Sequence, residues 1–391
     1  MRRLVLLVYA LVFVTELSQA AIVPLLPAFG RQLSLSEVET GAILAATTFA
    51  TVLVAVPIGL AADRIGPHRL TVLAALVVVA ASVVQAFAAT FWVLLAGRAL
   101  FGVAFATVWT AGLSLIAGAT SGRRAGAIGG TIAVGGAAHF VGPLASGFLA
   151  ERVSLAAPFV AIAGLAAFTT ILLATARPPA LVPPPRDSLR AALAAVRRHH
   201  ELKTALVVMA LLGVVAGVVP LLVPLLLDEN GLTAGQIGAV FSAGAAVWIL
   251  ASGAAARNAN RTVRAMAAGI GVVALGAVLV LPVLTAATAG IAAFVLLRAA
   301  AQAPLSTISY PLADGAARVS GIGTGTVIGL TNLVWGAAAA ASPVIGGALA
   351  ERMGARPTFA LIALTAALGG LWILAATRRE RIRVAAYDTA A

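Results

Sequence analysis

Four side chains stand where charge or polarity is expensive. Glu16, Arg98, His139 and Arg298 each lie inside a long run of Ala, Leu, Val and Gly, Glu16 near its middle and Arg98 near a helix end. Of the 13 Asp and Glu residues, Glu16 is the one set in the middle of such a run. A carboxyl group whose surroundings alternate between dry and wet takes up a proton and gives it back. Two other roles fit the same residue: a direct site for a cationic ligand, and a permanently protonated acid bonded to a neighbour. All three stay open on sequence. An embedded arginine costs several kcal/mol unless it faces the protein interior and finds a partner. Arg98 and Arg298 are therefore either interior charges with a function or structural arginines that bond backbone carbonyls or snorkel to an interface. His139 either titrates or serves as a neutral hydrogen-bonding residue.

The elements that must position these groups follow from hydropathy. The chain has 391 residues, is 61% hydrophobic and only 10% charged, with a mean hydropathy of +1.06. A soluble domain carries roughly a quarter of its residues charged, so this chain takes lipid as its solvent. One membrane helix needs roughly 20 apolar residues. The sequence supplies twelve such runs, read as 4–29, 38–61, 70–89, 91–116, 127–150, 157–176, 204–227, 236–256, 265–285, 290–312, 322–350 and 358–377. A β-barrel would show short alternating segments instead. The expectation is an all-α membrane protein of twelve helices. Met1-Arg2-Arg3 with Ser18-Gln19-Ala20 mimics a cleavable leader, but Glu16 interrupts the run and the apolar stretch continues to Phe29, so a retained first helix is expected.

The net charge of +13 is distributed unevenly. With the N-terminus inside, Arg31, Arg152, Arg352 and Arg356 are the external basic residues, Arg98 and Arg298 are embedded, and the rest of the 26 fall on the cytoplasmic side. That bias is the positive-inside rule, and it assigns the charge to topology, with anionic lipid headgroups as an additional partner and nucleic acid excluded. The reading places both termini in the cytoplasm and the chain in the cell (inner) membrane as a multi-pass protein. There is no cysteine, which removes disulfides and thiolate metal sites. His199-His200-Glu201 lies in a solvated basic segment without a further ligand and is discounted as a metal site. No cofactor is expected.

The chain repeats itself. Ile22-Val23-Pro24-Leu25-Leu26 returns as Val218-Val219-Pro220-Leu221-Leu222, and Leu35-Ser36 with Gly41-Ala42 returns as Leu232-Thr233 with Gly238-Ala239. Pro143, Gly147, Leu149, Ala150, Glu151 and Arg152 match Pro343, Gly347, Leu349, Ala350, Glu351 and Arg352, 200 residues on. Chance similarity of Ala-rich helices would not keep Glu-Arg after the same helix end. The expected organisation is a six-helix bundle over 1–176, a cytoplasmic linker over 177–203 that opens with five prolines, and a second six-helix bundle over 204–391 with a short cytoplasmic tail. Parallel six-helix repeats place a binding site between halves near the midplane.

Three motifs point to one family. Gly59, Asp63, Arg64, Gly66 and Arg69 follow the second helix in the pattern Gly-x3-Asp-Arg-x-Gly with a basic residue beyond. Arg98 is followed four residues later by Gly102 in the fourth helix. In the fifth helix Gly129, Gly142, Pro143 and Gly147 recur, with Ala138 and Ser146 at two further small-residue positions. Together these resemble the loop signature, the helix-4 arginine motif and the antiporter motif of the major facilitator superfamily, and the spread over most of the chain is similar to its twelve-helix drug/proton antiporters. Departures are Pro67 and His68 where basic residues are usual, Phe101 in place of the usual Gln, and Asn260-Arg261 in the second half, which lacks the acid. The resemblance implies a conformational latch at Gly59–Arg69, proton coupling at Arg98, and helices 1, 4, 7 and 10 lining the cavity; Glu16 and His139 join Arg98 as proton-coupling candidates on their own chemistry. Helix geometry puts Glu16 and Arg98 about 10 Å apart in depth.

Sugar sites need many hydrogen-bonding side chains, and embedded amides are few here: Gln19, Gln85, Gln302 and Asn332. The candidate cavity is Gln19, Trp109, Arg298, Gln302, Tyr310, Asn332 and Trp335, apolar and aromatic walls around sparse polar groups. That favours a small lipophilic or cationic substrate exported in exchange for protons, a multidrug-efflux type of activity. The alternative is a sugar or metabolite exporter or uniporter of the same superfamily. The chain carries no paired intramembrane aspartates, zinc-protease His-Glu-x-x-His or nucleotide-binding Gly-x4-Gly-Lys motif, so neither an enzyme nor a nucleotide-driven pump is expected, and the working unit is read as a monomer.

Overall fold

The structure is a computed structural model that describes residues 2–119, 124–176, 199–257, 265–320 and 324–388. Among the described residues, twelve helices are long and apolar enough to cross a membrane. They are α1 (Arg3–Leu33), α2 (Glu37–Ile65), α3 (Pro67–Ala86), α4 (Phe91–Ile116), α5 (Arg124–Arg152) and α6 (Ala157–Ala174). The second series is α7 (His200–Glu229), α8 (Ala234–Arg257), α9 (Ala265–Leu284), α10 (Thr288–Ser320), α11 (Thr324–Met353) and α12 (Ala355–Asp388). The protein is thus an all-α multi-pass membrane protein. Most of the expected linker, 177–198, and the segment carrying Asn260 and Arg261 lie outside the described residues.

The exterior explains the composition. Phe168 and Ile171 on α6, and Leu361, Leu364, Leu368 and Leu371 on α12, are exposed rows at helical spacing. Water would not tolerate such apolar stripes, whereas acyl chains satisfy them.

The chain forms two compact units. One comprises Met1–Pro184, Val219–Ala245 and Pro343–Ala348; the other comprises Pro185–Val218, Ala246–Ser342 and Leu349–Ala391. The first unit encloses an apolar core of Leu4, Leu7, Val8 and Leu11 from α1 against Ala74 and Ala75 of α3, Leu115 and Ile116 of α4, and Leu173 of α6. A second cluster sits further along α1, where Val14, Leu17 and Ala21 meet Val78, Ala104, Ala138, Ile162 and Ala166.

The repeat seen in sequence reappears in local hydrogen bonding. Ser36 caps α2 with a reciprocal bond to Glu39, and Thr233 does the same for α8 with Gln236. Each cap follows a left-handed residue, Ser34 at φ 52° and Gly231 at φ 83°. Within the first unit, four small-residue contacts come as two repeat-related pairs. Gly41 lies on the Pro343 carbonyl and Gly238 on the Pro143 carbonyl, while Gly147 lies on the Ala234 carbonyl and Gly347 on the Glu37 carbonyl. A Cβ at any of the four would collide with backbone, so only glycine permits helices to meet this closely. Pro143 stands inside α5, and the N–H of the next residue, Leu144, donates to Ser242 Oγ at 3.2 Å.

Candidate functional site

Glu16 sits in the middle of α1 with a relative exposure of 6%. Two other helices bring polar atoms to its carboxyl. Trp109 of α4 donates its indole N–H to Oε1 at 2.9 Å. His139 of α5 places Nδ1 3.5 Å from Oε2. Gly135 of α5 packs beside the Glu16 stem: a Cβ there would stand 3.5 Å from Glu16 Cγ, an ordinary packing contact.

The proton on His139 can be placed by elimination. Nδ1 also lies 3.1 Å from the carbonyl of Gly135. Both neighbours of Nδ1 are acceptors when Glu16 is ionised, so Nδ1 carries hydrogen. Nε2 is the ring's other nitrogen, and the side chain is 47% exposed. The pair therefore joins an enclosed carboxyl to a ring with access to the surroundings.

Arg98 of α4 is wholly buried. It does not reach Glu16. Its Nη2 donates to Gln19 Oε1 at 3.0 Å, and Gln19 is one turn from Glu16 along α1. Nε and Nη1 of Arg98 have no hydrogen-bond partner among the described residues. The guanidinium stands 5.3 Å from the Phe101 ring centroid, within cation–π range. From Phe101 the aromatic contacts continue along one face of α4: Phe101 to Phe105 at 6.0 Å and Phe105 to Trp109 at 6.2 Å between centroids. Arg98, Phe101, Phe105, Trp109 and Glu16 form one connected series, and Gln19 closes it on the α1 side.

Helix α4 is not uniform along this face. It is α-helical over Phe91–Thr107, a π-turn over Val108–Gly112, and α-helical again over Leu113–Ala119. Trp109 is in the π-turn. The residue spacing of the column was visible in the sequence, at every fourth position from Phe101. The π-turn had no such signal, and neither did the bond from Trp109 to the Glu16 carboxyl.

The second series of candidates is arranged differently. Arg298 donates to Gln302 of its own helix at 2.6 Å. Tyr310 donates to Asn332 of α11 at 2.7 Å, and both residues are exposed. Trp335 is exposed at its side chain while its carbonyl packs on Gly213 of α7. The structure therefore joins Arg298 with Gln302, and Tyr310 with Asn332, and leaves Trp335 outside both pairs.

The loop motif is positioned by helix ends. Gly66 terminates α2 at φ 89° and ψ 136°, conformations open to glycine, and starts α3. Arg64 and Arg69 are exposed on either side of it. Asp63 is on the last turn of α2, and its side chain lies outside the described residues. Gly59 meets no atom where a Cβ would stand, and Gly129 of α5 likewise faces open space. Gly142 is different: a Cβ would come 3.1 Å from Ala20 Cβ and 3.2 Å from the Leu17 carbonyl of α1. In α5, then, Gly142, Pro143 and Gly147 set close helix contacts and Gly129 does not.

Twelve helices long and apolar enough to cross a membrane, one carrying a buried acid and two carrying an arginine, define a polytopic membrane fold. Comparison with known proteins makes this specific. Residues 8–339 match the sequence profile of the Major Facilitator Superfamily, and the chain belongs to that superfamily. The curated relatives include the MFS-type transporter ppzB of Metarhizium rileyi (strain RCEF 4871), 34% identical over 139 residues, or 34% of this chain and 28% of that protein. The ppzB protein of Metarhizium majus (strain ARSEF 297) is 33% identical over 124 residues, 31% of this chain and 26% of its own length. The chain thus spans about a quarter of the length of these relatives in the matched region. Among solved structures, a bacterial homologue of the human lysosomal transporter Spinster is similar in fold. Its inward-facing unoccupied form gives a TM-score of 0.80 at 15% identity, covering 96% of both chains. Its inward-facing occupied form gives 0.79 at 16% identity with the same coverage.

Proposed function

We propose that this transporter exports a small lipophilic or cationic molecule in exchange for protons, with Glu16 as the proton carrier. The observation that carries the reading is the enclosed Glu16 carboxyl joined at 3.5 Å to the half-exposed His139. An enclosed acid beside a ring that reaches the surroundings can load a proton from one side and release it when the environment changes. His139 is the relay, and Arg98, held one turn away through Gln19, supplies a fixed positive charge to the same region. In this reading the six-helix halves 1–176 and 204–391, joined by the linker 177–203, give alternating access, and Gly59, Asp63, Arg64, Gly66 and Arg69 form the latch. Positive-inside charge sets both termini in the cytoplasm of a cell whose inner membrane holds the protein.

A second reading has one observation in its favour. The Arg298–Gln302 and Tyr310–Asn332 pairs present hydrogen-bonding groups that suit a polar metabolite.

Transport in proteoliposomes under an imposed pH gradient separates them. Ethidium uptake should follow the gradient, and Glu16→Gln should lower gradient-driven uptake by on the order of a hundredfold. Uptake that ignores the gradient, with Glu16→Gln equal to wild type, would defeat the proton-carrier reading.

A further inference from the structure

A bound proton on Glu16 has to be felt by the rest of the protein if it is to drive anything. The contact that could transmit it is the one from Trp109. An indole N–H is a donor only, and a donor to a carboxylate makes a bond roughly twice as strong as one to a neutral carbonyl oxygen. Proton binding converts the carboxylate to a carboxylic acid, and the Trp109 bond loses its charge assistance at that moment. The new O–H is the one covalent change in the step.

Trp109 is also unusually placed. The π-turn Val108–Gly112 inserts an extra residue into α4 at this point. Such turns are rare and concentrate at functional sites. Its other end faces α1 as well: a Cβ on Gly112 would stand 3.2 Å from Val8 Cγ1. No proline lies within or beside the turn, so the ordinary cause of an irregular helix is missing. The aromatic series from Trp109 through Phe105 and Phe101 then leads to Arg98.

The charged and titratable groups around Glu16 are few. From α5 comes His139, and its other ionisable residues, Arg124, Glu151 and Arg152, stand at the helix ends. From α4 comes Arg98, acting through Gln19. On α3 the ionisable residues are His68 and Arg69 in the first turn, and His68 Nε2 is bonded to the Leu173 carbonyl at 3.1 Å. The sequence of α6 contains none. On α1 itself, Tyr9 donates to the Ala127 carbonyl at 2.6 Å, Arg3 is at the start, and Arg31 is in the last turn, paired with Asp228.

We infer that Trp109 is the positioning residue of the Glu16 site, and that the π-turn carrying it is the element through which protonation of Glu16 reaches α4. The inference rests on the proton-carrier reading above. The Trp109 bond orients Oε1, keeps Oε2 toward His139, and ties the state of the carboxyl to the register of α4.

Infrared difference spectroscopy of the purified full-length protein in lipid, titrated with pH, tests this without a substrate. The carboxylic-acid C=O band that disappears in Glu16→Gln belongs to Glu16. Trp109→Phe keeps the ring and removes the N–H; the midpoint of that band should move to higher pH by about half to one unit, because a bond favouring the anion is lost. Trp109→Gln restores a donor without the ring, and its midpoint should return toward wild type. If no band in wild type depends on Glu16, the proton-carrier reading fails. If the band is present but unmoved in Trp109→Phe, that reading stands and the role of Trp109 is refuted. Equal displacement in both variants would assign the effect to the ring, and would also overturn the inference.

Discussion

Helices α4 and α10 occupy the same place in the two repeats, and both keep an arginine, at 98 and 298. What surrounds it differs. The partner of Arg98 comes from another helix, Gln19 on α1, while the partner of Arg298 is one turn along its own helix. A bond between helices senses their relative movement; a bond inside one turn does not. The difference extends down the face. Phe101, Phe105 and Trp109 correspond to Ala301, Leu305 and Ser309, so the aromatic column exists once. Glu16 corresponds to Leu212, buried in α7. Duplication supplied a scaffold with two equivalent arginines, and only one has been drawn into a network that joins helices.

The sharpest way to break the comparison is to exchange residues at the next repeat position. Gly102 in α4 corresponds to Gln302 in α10. A Cβ on Gly102 would overlap the Thr47 carbonyl and come 2.9 Å from Ala50 Cβ, so α2 and α4 touch through this glycine. Gly102→Gln should therefore destabilise by about 3 kcal/mol, the upper range for overpacking. The reverse exchange, Gln302→Gly, removes one hydrogen bond from a half-buried arginine and adds helix flexibility, costing about 1–2 kcal/mol. Thermal unfolding followed by intrinsic tryptophan fluorescence measures both. Equal losses would mean that the tight α2–α4 crossing is not what distinguishes the halves.

A functional contrast comes next in size. A lysine cannot reproduce the planar fork of guanidinium. Arg98→Lys should lower gradient-driven uptake on the order of tenfold, because the link to Gln19 and the cation–π contact both depend on that plane. Arg298→Lys should stay within about threefold, since its helix-internal partner remains in reach. If the two variants behave alike, the local partner of each arginine does not set its role.

How much of this was legible in the sequence depends on whether the determinant is local. The twelve helices were, because apolar length alone decides a membrane span, and the structure moves the expected ends by only a few residues except in α10 and α12, which run on past them. The repeat was legible for the same reason: Ser36 and Thr233 cap their helices through bonds three residues away. Glu16 could be singled out as the embedded acid. Its partners could not. Depth along a helix follows from residue count, but the direction a side chain faces depends on how the helix is rotated in the bundle. Depth left Glu16 and Arg98 about 10 Å apart and did not reveal that Gln19 stands between them. Nothing in the residues Val108–Gly112, which include no proline, marks the π-turn that carries Trp109.

The smallest effect concerns a place where the repeats differ by necessity. Arg31 near the end of α1 forms an ion pair with Asp228 near the end of α7. These are equivalent positions: the N–H of Leu35 bonds the Gly30 carbonyl, and the N–H of Leu232 bonds the Leu227 carbonyl, in the same turn of each repeat. Where equivalent ends of a duplicated structure meet, retaining one residue type would set like charges against each other. Divergence to Arg and Asp turns that repulsion into attraction. The pair is exposed, with 65% of the Arg31 side chain accessible, so its contribution is at most about 1 kcal/mol. Arg31→Asp and Asp228→Arg should each lower the unfolding temperature slightly, and the double exchange should recover most of the loss. In molar salt, where the screening length is about 3 Å, the differences should largely vanish. A double exchange no more stable than either single variant would show that the residues are held together by the helix ends and contribute nothing to holding those ends.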